Sequence, residues 1–197
     1  CPHDIQEKIS QKENHIDYLG NGTFGYVFKI VHKNKQRACK IIQIHFEGYA
    51  TFLKEVYYQN LISSYNIAPK VYDNYLCKTN TLKYGIIIMD YLHNYLTFIN
   101  FLAMIYQLSD EDMILYINLY INSLIKVVDI FVDQINLYTA DFQFMIKNDA
   151  TDIKLIDFGE TTTLTLNKVL RDEDEEEDIT ELKFSSKQEY KDYILDI

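Results

Sequence analysis

The stretch Gly20-Asn21-Gly22-Thr23-Phe24-Gly25-Tyr26-Val27 decides how the first part of this chain folds. It has the spacing Gly-x-Gly-x-x-Gly, which several nucleotide-binding folds share and which is a weak signal alone. In a dinucleotide-binding fold such glycines open a helix, whereas β-branched and aromatic residues follow here, so the glycines join two strands. No Gly-Lys-Ser/Thr follows, which excludes a Walker A loop. The stretch is either a hairpin whose backbone N–H groups can approach phosphates or a plain glycine turn.

Strand and helix patterns extend outward from this hairpin. The first three strands are separated by short turns and predict an antiparallel meander. A helical pattern follows and ends at a breaker that contains Pro69. The last strand of this half is apolar at every position from Ile86 to Met89 and is therefore expected to be buried. The predicted strands are 16–19, 26–31, 37–44, 70–76 and 84–89, and the predicted helix is 49–64.

The second half begins with a long helical pattern. Ser109 is a suitable N-cap, and acidic residues follow it at the positive end of the helix dipole. The polar positions recur every three or four residues and form one narrow stripe, so most of the helix is expected to face protein. These positions are Asn118, Asn122, Lys126, Asp129 and Asp133.

Two short apolar runs, 144–147 and 152–157, surround a turn and predict a hairpin. Residues 187–195 predict one last helix that covers the core. Every residue from Asp172 to Asp178 is acidic, which is typical of a solvated segment.

Composition limits the class of protein. Hydrophobic residues make up 48% of 197 residues, enough for a sizeable core. The formal charge of −10 excludes a protein that coats nucleic acid. Cys1, Cys39 and Cys77 lack metal-ligand spacing and predict neither a zinc module nor a disulfide scaffold. No signal-peptide pattern and no run of roughly 18 apolar residues is present, so we expect a soluble protein of a reducing compartment, without a membrane span.

A lysine stands inside the third predicted strand. Lys40 is flanked by apolar residues, and burying its charge is costly unless a partner neutralises it. Glu55 lies fifteen residues later, in the predicted helix, where it could turn toward Lys40. A triphosphate would be a second partner. A surface lysine and a surface glutamate are the alternative.

In this order and spacing, the residues resemble the N-terminal lobe of a eukaryotic-type protein kinase. The glycines and Val27 match its Gly-rich loop, Lys40 matches the strand lysine, and Glu55 matches the helix glutamate. Residues 89–92 resemble the gatekeeper and hinge, whose backbone would meet adenine. The resemblance implies that ATP is held by Gly20, Asn21, Gly22, Gly25, Val27, Ala38, Lys40, Asp90 and Leu92.

Asp157-Phe158-Gly159 follows a predicted strand and reproduces the Asp-Phe-Gly motif of the same family. By this resemblance, Asp157 would bind Mg²⁺ (or Mn²⁺) against the phosphates of ATP.

The catalytic loop departs from the family pattern His-Arg-Asp-Leu-x-x-x-x-Asn. An alignment without gaps puts Gln143 at the metal-binding Asn and Tyr138 at the catalytic Asp. A three-residue deletion instead puts Asp141 at the catalytic Asp and leaves the Asn unmatched. We prefer the deletion, which makes Asp141 the candidate catalytic base, with Lys40 and Glu55 as the other catalytic residues and Gln143 as the candidate second metal ligand.

The resemblance implies an α+β, bilobal, protein-kinase-like fold in one domain over 1–197. An antiparallel-sheet N-lobe with one helix would span about 14–92, and a reduced, mainly helical C-lobe about 93–197. The implied function is an atypical Ser/Thr kinase that uses ATP and acts on a protein, in the cytoplasm or, for a viral or effector protein, the host cytoplasm. One alternative is a pseudokinase that regulates a protein partner without phosphotransfer, and another is a small-molecule phosphotransferase.

Overall fold

The computed structural model describes residues 17–22, 25–44, 48–78, 83–140, 142–164, 184 and 186–196. The acidic segment 172–178 lies outside these residues, so its predicted solvation stays a prediction.

A five-stranded sheet forms the first layer, and every pair of neighbouring strands in it is antiparallel. The strand order is β1-β2-β3-β5-β4, and its first three strands form the predicted meander. The β5 strand lies between β3 and β4, and this central position explains why its apolar residues are buried on both faces. The strands are β1 (Asp17–Gly22), β2 (Gly25–His32), β3 (Lys35–Ile44), β4 (Val71–Lys78) and β5 (Lys83–Asp90).

The predicted helix is present as α1 (Gly48–Ser63), and it packs on this sheet. Its Phe52 is fully buried against Ile42 and Ile87. The ring lies directly over Gly85, where an added Cβ would come within 2.2 Å of Phe52 Cδ2. The missing side chain at Gly85 therefore sets how closely α1 approaches the sheet.

The second part of the chain combines helices with short strands around the largest core. Ser109 caps α3 by accepting a hydrogen bond from the Asp112 N–H, and the predicted hairpin and last helix are both present. The described chain is thus mixed α+β with antiparallel sheets, which confirms the coarse fold class. The elements are β6 (Tyr95–Leu96), α2 (Phe98–Ile105), α3 (Asp110–Asp129), a π-helical turn (Ile130–Gln134), β7 (Leu137–Thr139), β8 (Gln143–Lys147), β9 (Ile153–Ile156), β10 (Thr161–Thr163) and α4 (Lys187–Leu195).

The prediction that most of α3 faces protein is wrong. Only Leu124, Val127 and Val128 of this helix are buried. A row of isoleucines on the next face is exposed, with Ile114 the most exposed of them at 57%. Periodicity marks the polar stripe of a helix but does not say how much of the remaining surface another element covers.

The segment Asp110–Gln134, which is α3 with its π-helical turn, is long and apolar enough to cross a membrane by length and composition. Its most apolar stretch is 22% buried, and Phe131 and Val132 at its end lie fully inside the core. A single helix of this kind does not establish a membrane span.

Two contacts fasten the β8–β9 hairpin to the loop after α1. The Leu155 N–H donates to the Ile67 carbonyl oxygen at 2.8 Å. The buried Lys154 ammonium donates to the Asn66 carbonyl oxygen and lies 2.9 Å from Asp152 Oδ2. These contacts fix β9 relative to the end of α1.

Cys77 is disulfide-bonded, whereas Cys39 is a free thiol in the core. One such bond does not make a disulfide scaffold, but it is a pairing that the sequence analysis did not anticipate.

Candidate active site

A cavity of about 460 Å³ lies between the five-stranded sheet and the β8–β9 hairpin. This volume falls within the range of pockets that hold small molecules and cofactors. Ten of the sequence-predicted site residues line it: Gly20, Asn21, Val27, Ala38, Lys40, Glu55, Asp90, Leu92, Gln143 and Asp157.

Lys40 is the centre of the polar part of this cavity. Its Nζ lies 2.5 Å from Glu55 Oε1 and 3.1 Å from Asp157 Oδ1. The three side chains come from β3, α1 and the residue after β9, and each is at most 7% exposed. Neutralisation by two carboxylates explains how a lysine is tolerated inside an apolar strand.

The three groups do not balance in charge, because two carboxylates face one ammonium. Burial raises the pKa of Glu55 above 4.5, the Lys40 charge and hydrogen bond lower it, and the Asp157 charge raises it further. Glu55 Oε2 and Asp157 Oδ2 are buried, and neither has a hydrogen-bond partner among the residues that the structure describes. The site therefore holds spare acceptor oxygens and excess negative charge, which favours binding of a cation.

The backbone at Asp157 is strained. Its φ of 64° is in the left-handed region, which is uncommon for residues other than glycine and clusters at functional sites. Directly after it, Phe158 is buried in the main core, while Asp157 lines the cavity. The turn thus sends two successive side chains to different places.

The glycines of the predicted loop have different surroundings. Gly20 lines the cavity, whereas Gly22 and Gly25 face each other at the end of the β1–β2 hairpin and do not line it. At Gly25 an added Cβ would lie 2.2 Å from the Ile41 carbonyl oxygen, so the close approach of β2 to β3 requires glycine there. Thr23 and Phe24, at the tip, lie outside the described residues.

Apolar side chains cover the cavity from both sides. Val27 and Ala38 come from the sheet, and Met145 and Ile156 come from the hairpin. The last two are not among the site residues predicted from the sequence. Met145 is two residues after Gln143 and thus on the same face of β8, so strand alternation could have found it.

The carboxylate of Asp90, at the end of β5, accepts hydrogen bonds from two side chains. Its Oδ1 accepts from Arg37 and from the Tyr72 hydroxyl, both at 2.9 Å. The Arg37 guanidinium also lies 3.6 Å from the centre of the Tyr72 ring, a cation–π contact. These contacts fix the segment that continues through Leu92 along the cavity.

The region of the predicted catalytic loop is only partly described, because Asp141 lies outside the described residues. Strand β7, just before it, pairs with β10, just after Asp157 and Gly159. The Tyr138 ring packs on Tyr190, with ring centres 5.1 Å apart. Gln143 pairs with Ile156 across the hairpin, so it lies next to Asp157 at the cavity wall.

Among the described residues, no group of three or more His, Cys, Asp and Glu side chains is arranged to hold a metal ion. Asp157 and Gln143 are the predicted ligands within the cavity, and both offer the oxygen atoms that Mg²⁺ prefers. No protein-family model and no curated protein matches the chain.

Proposed function

We propose that this protein is an atypical member of the eukaryotic-type protein kinases. It has a bilobal fold, binds ATP with Mg²⁺ or Mn²⁺ in the cavity, and transfers the γ-phosphoryl group to a Ser or Thr hydroxyl of a protein.

The observation that carries this proposal is the contact of Lys40 with both Glu55 and Asp157. Lys40 and Glu55, which the strand and helix patterns predict as partners, meet Asp157, which the resemblance assigns, at one wall of a cavity of suitable size. A surface lysine and a surface glutamate, the alternative, do not fit side chains that are 5% and 1% exposed.

Different residues of the cavity wall suit different parts of ATP. The apolar side chains of Val27, Ala38, Met145 and Ile156 suit the two faces of a flat base such as adenine. Lys40, kept in place by Glu55, would bind phosphate oxygens of ATP. The apolar side chains and Lys40 would thus contact different parts of the nucleotide.

Asp157 and Gln143 would hold the metal ion, which neutralises negative charge on the phosphates. The unpartnered Asp157 Oδ2 is an acceptor of the kind such an ion needs. In the transfer, a bond forms between the acceptor hydroxyl oxygen and the γ-phosphorus, the bond from that phosphorus to the β,γ-bridging oxygen breaks, and ADP leaves. Asp141 would accept the hydroxyl proton.

A pseudokinase is the second candidate, and one observation favours it. Gln143 lies beside Asp157 at the cavity wall, as expected if Gln143 replaces the family's Asn. That alignment puts Tyr138 in the position of the catalytic Asp. The packed Tyr138 ring cannot act as a carboxylate base.

The two candidates are separated by measuring binding and transfer on the same protein. With Mg-ATP at about 100 times its Kd, a kinase and a nucleotide-binding pseudokinase should both gain about 2.7 kcal/mol of stability. Lys40→Ala should abolish this gain, whereas Lys35→Ala, at the exposed start of the same strand, should keep it. Equal gains in the two variants would contradict the assignment of the site.

Transfer is then tested with radiolabelled ATP and a generic protein acceptor. The kinase proposal expects label on protein hydroxyls, lost in both Lys40→Ala and Asp157→Ala. Binding without transfer supports the pseudokinase, and full transfer in Asp141→Asn rejects Asp141 as the base.

A further inference from the structure

The exposed apolar row on α3 consists of Ile114, Ile117, Ile121 and Ile125, which we call the isoleucine row. Their exposed fractions are 57%, 37%, 43% and 40%. At 3.6 residues per turn, these side chains fall within a sector of about 80° and extend over about 16 Å of the helix. A continuous apolar row of this kind on a folded surface marks an interaction site.

A polar row follows the isoleucine row along one side. It consists of Glu111, Asn118, Asn122 and Lys126, all of which are exposed. On the helix surface these residues occupy the neighbouring sector of about 80°, which they share with the exposed Leu115 and with Asp129. An acid thus stands at one end of the row, a base at the other, and two amides between them.

Both rows complement themselves when a second copy of α3 lies antiparallel to the first. A two-fold axis perpendicular to the helix near Leu119 places Ile114 of one copy opposite Ile125 of the other, and Ile117 opposite Ile121. In an antiparallel helix pair, residues on the same side of the two apolar rows face each other. The polar row therefore brings Glu111 of one copy to Lys126 of the other, and Asn118 to Asn122.

An acidic residue near this face is partly neutralised within its own chain. Asp129 would approach the acidic N-terminal turn of the other copy, but its Oδ1 lies 2.6 Å from the Lys191 ammonium of its own chain. Lys191 also binds Asp133 at 2.8 Å. The intramolecular ion pair reduces the repulsion that Asp129 would otherwise cause.

We propose that this face of α3 binds a second copy of the chain, in an antiparallel, two-fold symmetric homodimer. A two-fold interface requires one patch that complements itself, and the order of residues on α3 meets that requirement. A lipid surface is the less suitable occupant, because Asp110, Glu111 and Asp112 stand at the end of the row and a chain of net charge −10 is repelled by anionic headgroups. The proposal does not depend on kinase activity.

Sedimentation velocity of the full chain over about 1–500 μM should show a monomer–dimer equilibrium, as expected of a small interface. Ile121→Asp should raise the dimer dissociation constant at least about tenfold, because the substitution enters the interface twice. Leu76→Asp is the matched control: this leucine is 49% exposed on β4, and its substitution should leave the constant unchanged. A protein that stays monomeric over the whole range, or a dimer that survives Ile121→Asp, overturns the proposal.

Charge reversal tests the antiparallel direction without touching the apolar row. Lys126→Glu and Glu111→Lys should each weaken the dimer about fivefold, since each puts like charges together at both ends. The double variant should return to within about twofold of the original constant. Failure of this rescue rejects the antiparallel pairing. A monomer that instead floats with phosphatidylcholine vesicles shows a lipid-binding face and also overturns the proposal.

Discussion

Neutralising Asp157 should stabilise the protein when no nucleotide is bound. The site holds two buried carboxylates against one ammonium, and within the described part of the chain Asp157 Oδ2 has no hydrogen-bond partner. In Asp157→Asn, the amide oxygen can still accept from Lys40, 3.1 Å away in the original, while Lys40 and Glu55 remain as a neutral pair. Relief of the unpaired buried charge is expected to add about 1–2 kcal/mol to the free energy of unfolding.

The gain should raise Tm by about 3–6 °C for a chain of this size. With saturating Mg-ATP, the original protein should become more stable than Asp157→Asn. The original protein gains about 2.7 kcal/mol at 100 times Kd, whereas the variant, which lacks the metal-binding carboxylate, gains little. The assay is urea unfolding followed by circular dichroism, with and without Mg-ATP.

The increase in the free energy of unfolding of Asp157→Asn should also depend on pH. Folding raises the pKa of Glu55 above its ordinary value of 4.5, so the folded state favours the protonated carboxyl. The stability that Glu55 contributes is therefore fully present below pH 4.5 and is lost as the pH rises through the pKa of Glu55 in the folded protein. Asp157 is one cause of that rise, and removing its charge lowers the pKa of Glu55. The stability difference between Asp157→Asn and the original should therefore grow as pH rises from 4.5 toward 7.5.

Asp149→Asn is the matched control. Lys147 and Thr151 lower the pKa of Asp149 to about 2, so the folded state favours its charged form. Neutralising it should bring no gain. A loss of stability in Asp157→Asn without nucleotide, or an equal gain in both variants, would refute the charge-excess argument.

Three further outcomes test packing and reactivity. Gly85→Ala should destabilise the fold by about 1–3 kcal/mol in urea unfolding, because its Cβ meets the buried ring of Phe52, and Phe52→Leu should recover part of the loss. Tyr190→Phe removes two buried hydrogen bonds to Thr139, at 2.8 and 3.1 Å, and should cost about 1–3 kcal/mol; an unchanged midpoint would contradict this. Burial raises the pKa of the Cys39 thiol to about 12, so mass spectrometry should find it alkylated by iodoacetamide at pH 8 only after unfolding.

Much of the site could be predicted because its residues violate local rules. Lys40 is a charge in an apolar strand, so a partner had to exist, and Glu55 was the nearest acid on the next element. Gly25 belongs to the predicted glycine turn, and the close approach of the Ile41 carbonyl oxygen explains why glycine is needed there. The position of Asp157 followed from the motif that it begins, which local sequence shows directly.

Other elements could not be predicted, because distant parts of the chain stabilise them. Strands β7 and β10 have three residues each and exist through their pairing with each other. Helix α2 is nearly all apolar, so it lacks the polar residues between apolar ones at three- and four-residue spacing that mark a helix. The exposure of Ile121 depends on what packs beside α3, which no pattern within that helix specifies.

The hydrogen bond from the Leu155 N–H to the Ile67 carbonyl oxygen joins the strand before Asp157 to the loop after α1. Its amide proton can exchange with solvent only when these two segments separate. Leu155 is therefore a single-residue probe of opening between the parts that carry Glu55 and Asp157. Its exchange rate in heavy water, followed by NMR, reports how often the strand before Asp157 separates from the loop after α1.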